Sequence, residues 1–393
     1  MPTPLLMVAT ATEWLGAARM PRDLANAGFA VSLLVPPGSV AEKSRFLVNI
    51  GHLPAQATPA AWVEAFVSMV ESTSPRLVLP CDDTALRLLM LLALSPPSML
   101  LPTLHLQLAA LIVDSLGDPA FYRASIDKTT IGPAAAALGL RVPASIVVTT
   151  LGEARQFIAT HGFPLVLKRS HSTAGEGVAI CSEQAMLDRE FTRLARMPVL
   201  DLDDLAAGQI VLQEFVAGTI HFYTAVAWRG ALVSGVAVEK IEGERKGPTS
   251  AVRYFRSPQM HAATAKLAAG FGLTGIFSPE FIVDPAGGEP YLLEINRRIS
   301  HGTHRGARMN VGAGAALYAA MHGTAAPRDQ LAVGEEHFCA HFPQEWIRDP
   351  ESPFLRRFPV DVPWDEPELA RALTAIAVRQ LRKDKREPHV RVA

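Results

Sequence analysis

The chain has 393 residues, enough for two or three domains with sizeable cores. Its formal net charge of −1 excludes the basic field of a general nucleic-acid binder, and its 49% hydrophobic content is that of an ordinary globular enzyme. The three cysteines, Cys81, Cys181 and Cys339, show no CxxC or zinc spacing, so they are expected to be small buried hydrophobes in a reducing cytoplasm.

No charged segment precedes an apolar run at the start, so no signal peptide is expected. "PLLMVAT" predicts a strand, "EWLGAARMPRDLANAG" a helix closed by Gly28, and "FAVSLLVPP" a second strand. "AAWVEAFVSMVESTSP" predicts a helix, "RLVLPC" a strand, and "DDTALRLLMLLALS" a helix with acidic residues at its positive end. This alternation implies a parallel, doubly wound sheet over residues 1–115. The first strand-to-helix turn, "ATATEWLG", lacks GxGxxG, which disfavours a dinucleotide site and with it a Rossmann oxidoreductase. Prolines interrupt the apolar run 85–113, leaving halves too short to cross a bilayer; no membrane partner is expected.

An Ala-rich helix in "DKTTIGPAAAALG" follows, ended near Gly139. Strand "IVVTT", helix "LGEARQFIATHG", strand "FPLVLKRS", loop "HSTAGEG", strand "VAICS" and helix "EQAMLDREFTRLARM" make an α+β unit, which "QIVLQEFVAG" leaves. "HFYTAVAWRG" and "ALVSGVAVEK" form a hairpin, and helix "MHAATAKLAAGFG" precedes "PEFIVDPAGGEPYLLEINRRIS". Past residue 325 the pattern weakens, and the basic end, "RQLRKDKREPHVRVA", suggests a solvated helix end and a frayed tail.

That last quoted stretch reads as a second hairpin around the turn "PAGGE". Pairing symmetric about Gly287 sets Asp284 against Pro290, Ile282 against Leu292, and Glu280 against Glu294. Glu294 and Asn296 then share one face, and Phe281, Val283, Tyr291, Leu293 and Ile295 take the other as core. Directly opposed carboxylates repel, so a cation is expected between them. Two carboxylates and an amide oxygen are hard ligands that suit Mg²⁺ in company with phosphate oxygens. The Arg and His of "RRISHGTHRGAR" suit phosphate and carboxylate anions. An acidic, solvated sheet face is the plain alternative.

Three further pieces carry weaker signals. Lys168 ends a strand where its ammonium can meet phosphate, and Ser172, Thr173, Gly175 and Gly177 can close backbone amides over phosphates. "VLQEFVAG" can offer its backbone to a purine edge at Gln213, Glu214 and Val216. Lys128 lies in "DKTT". An ordinary strand–loop–strand, a plain strand and a surface lysine are the alternatives.

In this order and spacing, "DK", "PLVLKRSHSTAGEGV", "QEFVAG" and "PEFIVD…YLLEINRR" resemble the ATP-grasp family from about Asp127 to Arg305. The most specific element is Glu-x-Asn-x-Arg, here Glu294, Asn296 and Arg298. The resemblance implies a mixed α/β and α+β chain, an ATP-grasp fold preceded by a Rossmann-like parallel α/β domain. Its implied boundaries are a pre-ATP-grasp domain 1–115, a linker helix region 116–140, a small lobe 141–212, a large lobe 213–325 and a C-terminal extension 326–393. It implies that Lys128 and Lys168 contact ATP phosphates, that Glu280, Glu294 and Asn296 hold magnesium, with two ions expected and Mn²⁺ as a substitute, and that Arg298 steadies the transferred phosphate. Two departures stand out: Arg297 replaces a common Pro, and "GTIHFYTA" offers His221, Tyr223 and Thr224 where many members place an acid near the ribose.

The implied reaction activates a small-molecule carboxylate as an acyl phosphate, which an amine displaces, with ADP and phosphate as products. Arg298 and Arg253 would hold the carboxylate, and Ser300, His301, His304 and Arg305 would line the acceptor pocket, one histidine serving as a base. Carboxylation or carbamate phosphorylation through carboxyphosphate, and ATP sensing without ligation, are the competing expectations. A homodimer fits the family's habit, though no residue pattern marks an interface.

Overall fold

The computed structural model describes residues 1–54, 58–96, 102–170, 177–197, 209–242, 249–284 and 288–386. The chain forms two compact units: residues 1–86, 233–256 and 298–393 make the first, residues 87–232 and 257–297 the second.

The first unit begins with β1 (Thr3–Val8), β2 (Phe29–Val35), β3 (Leu47–His52) and β4 (Leu77–Pro80), a parallel sheet in the order β3-β2-β1-β4. Leu5, Leu6, Met7 and Val8 are all buried, as strands covered on both faces must be. The helix Leu15–Ala27 stops at Gly28, whose φ of +113° suits only glycine and lets its N–H meet the carbonyls of Ala25 and Leu24. Strand β3 was not foreseen. It is an edge strand, largely exposed, and "LVNIGH" lacks the apolar run of its neighbours.

In the second unit, β5 (Ser145–Val148), β6 (Leu165–Arg169), β7 (Val178–Cys181) and β8 (Ile210–Glu214) form an antiparallel sheet in the order β5-β8-β6-β7. The helices Ala154–His161 and Gln184–Ala195 complete its core through Phe157, Leu187 and Leu194, which pack with Leu165, Leu167 and Leu212. The chain continues through β9 (Thr219–Trp228); β10 (Ala231–Glu242) and β11 (Ala251–Phe255), which from residue 233 belong to the first unit, then pair antiparallel. After the helix Pro258–Gly270, started by Ser257 accepting from the Met260 N–H, β12 (Gly275–Val283) pairs antiparallel with β9 and with β13 (Tyr291–Asn296).

The region past 325 is more ordered than its sequence pattern suggests. Strand β14 (Glu336–Ala340) adds to β11, and the helix Pro367–Arg386 buries Leu369, Leu373, Ile376 and Ala377, one apolar stripe at helical spacing. Cys81, Cys181 and Cys339 are buried and unpaired with one another. Among the described residues no helix is long and apolar enough to cross a membrane.

Candidate active site

Antiparallel pairing of β12 with β13 sets Glu280 opposite Glu294, as expected. Nearer the turn the pairing departs from the symmetric scheme. Leu293 is an extra residue, a β-bulge, so Phe281 faces Leu292 and Ile282 faces Tyr291. The bulge turns Leu292 into the core beside Phe281 and Ile295, while Val283, Tyr291 and Leu293, expected there, are only half-buried. Asn296 lies across from Ser278, and its Nδ2 donates to Glu280 Oε1 at 2.8 Å. The amide therefore presents its N–H₂ to the carboxylate, and its oxygen is the atom with metal-ligand character.

Two lysines accompany these acids. Asp127 Oδ1 accepts from the N–H and the hydroxyl of Thr129, each at 2.8 Å, a local turn that holds Lys128. Lys128 Nζ lies 3.6 Å from Glu294 Oε2. Lys168, on β6 between Val178 and Val211, is buried. Burial pushes its pKa down to about 8; Glu294 draws it up, Lys128 presses it down and Glu280 draws it up. Lys128, Lys168, Ser145, Gln213, Leu292 and Leu293 line one pocket.

Of the remaining nucleotide candidates, Gln213 thus joins the lysines. Glu214 turns its carboxylate to the Ala144 N–H at 2.9 Å and to His161 Nδ1 at 3.3 Å. Val216 lies in the connection from β8 to β9, and His221, buried on β9, has Nε2 2.9 Å from Thr219 Oγ1. Glu214, Val216 and His221 are not among the residues that line the pocket. Gly177 is buried just before β7, its carbonyl accepting from the Arg169 N–H at 2.8 Å. Ser172, Thr173 and Gly175 lie outside the described residues, as does Gly287.

The acceptor-side candidates belong to the first unit. Arg298 Nε donates to Asp83 Oδ1 at 3.0 Å, and its guanidinium lies 4.5 Å from the centre of the Trp14 ring. Asp82, its neighbour, closes the loop after β1 by accepting from the Thr10 and Ala11 N–H groups and caps the next helix through the Ala85 N–H. His301 stacks on Trp14 with ring centres 5.0 Å apart. Ser300 accepts from the Thr303 N–H, and Arg305 is buried. Burial, with Arg298, His341 and His304 adding to it, pushes His301 down to about 3. Burial and Arg19 likewise hold His304 near 3, so both imidazoles are neutral at physiological pH. Arg253 is engaged by Glu239 and Glu336, each at 2.7 Å. Trp14 and Asp83 went unremarked as partners of Arg298; the acidic start of "DDTALRLL" was the available signal.

Arg297, flagged as a departure, is buried. It donates through Nη1 to Ser125 Oγ at 2.7 Å and through Nη2 to the Leu116 carbonyl, and it lies over the Tyr122 ring. Arg297→Ala leaves a buried carbonyl and hydroxyl without this partner, so unfolding in urea should show a loss of about 3 kcal/mol. Stability unchanged within error would show that these contacts contribute nothing.

No protein-family model matches the chain. Among characterised proteins it is similar to the large chain of carbamoyl phosphate synthase from Streptomyces coelicolor, 26% identical over 191 residues, which are 46% of this chain and 16% of that one. The chain thus spans less than a fifth of that relative's length. Among solved structures it is similar to the biotin carboxylase domain of Hydrogenobacter thermophilus 2-oxoglutarate carboxylase, a dimer in complex with MgADP, ADP and bicarbonate. There the TM-score is 0.63 at 15% identity, over 84% of this chain and 72% of that one. It is also similar to L-amino acid ligase from Bacillus licheniformis, with TM-score 0.56, 14% identity, and 83% and 75% of the two chains covered. These likenesses bear out the expected architecture: the chain has the ATP-grasp fold.

Proposed function

We propose, from the ATP-grasp fold as premise, that the chain is an ATP-dependent ligase. It would join a small-molecule carboxylate to an amine, forming ADP and phosphate. The observation that carries this reading is the meeting of Glu280 and Glu294 with Lys128 and Lys168 in the second unit. Hard oxygens of Glu280, Glu294 and Asn296 fit magnesium, which would neutralise phosphate charge when bound. Two ions would be held, and Mn²⁺ would substitute. Lys128 and Lys168 would meet phosphate oxygens, with the amides around Ser172, Thr173, Gly175 and Gly177 covering them. The backbone of Gln213, Glu214 and Val216 would face the adenine, with His221 towards the ribose.

An oxygen of the carboxylate attacks the γ-phosphorus as the bond to the ADP oxygen breaks. The amine nitrogen then attacks the acyl carbon, phosphate leaves, and the nitrogen gives up a proton. Arg298 would steady the transferred phosphoryl group, and Ser300, His301 and Arg305 would line the acceptor side. Arg253 can take a substrate carboxylate by exchanging one of its present acids. His301 and His304, held neutral, are suited to accept hydrogen bonds rather than to carry positive charge. A homodimer, as in the biotin carboxylase neighbour, is the assembly we propose.

A matrix of carboxylates against amines, with ADP release measured and products identified by mass, tests the proposal. ADP release that needs both substrates supports it. The bicarbonate complex of one neighbour favours a second reading, carboxylation through carboxyphosphate. ADP release that needs bicarbonate and no other carboxylate would replace the first reading with that one.

A further inference from the structure

In the first unit, Cys339, His341 and Asp361 come together, each at most 3% exposed. Their ligand atoms, a thiol sulfur, an imidazole nitrogen and a carboxylate oxygen, all lie within 4.8 Å of one another. Cys339 is the penultimate residue of β14, His341 follows directly after the strand's last residue, Ala340, and Asp361 comes from the segment beside the strand's end, where Ala340 bridges Val360.

A nucleophilic Cys–His–Asp arrangement would place the thiol on one imidazole nitrogen and the carboxylate on the other. Here both meet the same nitrogen: Nδ1 of His341 lies 4.0 Å from Cys339 Sγ and 3.4 Å from Asp361 Oδ2. The nitrogen–oxygen separation is long for a hydrogen bond. It matches the spacing of two ligands about 2.1 Å from one tetrahedral ion, which lie about 3.4 Å apart. The groups behind the ligands are oriented to suit. Tyr254 Oη lies 3.4 Å from His341 Nε2, and the Phe342 N–H donates to Asp361 Oδ1 at 2.5 Å, which aims Oδ2 at the cluster. His304 Nε2 also reaches Oδ2, at 2.9 Å.

We propose that Cys339, His341 and Asp361 form a site for a borderline-soft divalent cation, zinc in kind, that ties the end of β14 to the segment carrying Asp361. A thiolate, an imidazole and a carboxylate select zinc over magnesium, so this site is chemically distinct from the acids of the hairpin. Binding releases the thiol proton and any proton on His341 Nδ1, and needs no redox partner.

The test uses the full chain, stripped with EDTA, kept reduced and titrated with Co²⁺. A thiolate-to-cobalt charge-transfer band should saturate at a single ion per chain, and Zn²⁺ should abolish it. Stoichiometric Zn²⁺ should also raise the melting temperature of the stripped chain. Cys339→Ser and His341→Gln should each lose the band and the zinc-dependent rise. A wild-type chain with no band overturns the site whatever the variants do, including if they fail to fold. A band that persists unchanged in Cys339→Ser overturns it as well. A buried hydrogen-bonded cluster without metal is the reading that would then stand. Neither result depends on whether ligation is observed.

Discussion

Glu294→Ala is expected to lower ADP release by about a thousandfold at saturating ATP and magnesium. Three effects combine. The substitution removes one of the opposed carboxylates that we assign to the metal, and it removes the negative charge 3.6 Å from Lys128. It also takes away the strongest influence that keeps Lys168 protonated against its burial, so the Lys168 pKa should fall below its present value of about 8. The side chain is only half-buried, so the circular dichroism spectrum and melting temperature should change little. Turnover at the wild-type rate by a folded Glu294→Ala protein would rule out the metal assignment. A loss of activity accompanied by loss of the fold would be answered by Glu294→Gln, which preserves shape and removes charge.

Lys168→Ala is the second large effect, a loss of about a hundred- to a thousandfold in kcat/KM for ATP. Its pH dependence separates a phosphate contact from a structural role. The ammonium form meets phosphate, and in the free protein that form is lost above about pH 8. Wild-type kcat/KM for ATP should therefore fall with a slope approaching tenfold per pH unit on the alkaline side, and the variant should lack that limb. Stability moves in the opposite direction. The folded pKa lies below the ordinary value of 10.5, so between about 8 and 10.5 the unfolded chain holds more protons, and the contribution of Lys168 to stability rises with pH across that window. An alkaline limb that survives unchanged in Lys168→Ala would show that another group sets it.

The sequence made the acid pair legible because strand pairing has a period of two and the flanking residues are strongly apolar. It did not disclose the bulge at Leu293, since an extra residue within an apolar run leaves no mark in the pattern. The edge strand β3 escaped for a related reason: a strand exposed on its surface has no need of a continuous greasy core. Arg297 was conspicuous only as a departure. A cation at that point suggests solvent or ligand, and only the three-dimensional packing showed a carbonyl and a hydroxyl waiting for it. The cluster around His341 was hidden by distance along the chain, because Asp361 lies twenty residues beyond that histidine and Cys339 shows no zinc spacing.

The bulge has a mechanical corollary. Strand β12 is held in register from the far side by β9, from Phe222 across from Glu280 to Thr219 across from Val283, while the surplus residue sits in β13 between Glu294 and the tip. The irregularity thus lies in β13, the strand that β9 does not hold. Exchanging or lengthening the tip should be absorbed before it reaches the carboxylates, so this corner of the molecule can drift in sequence or accept grafted peptides while the spacing of Glu280 and Glu294 stays put.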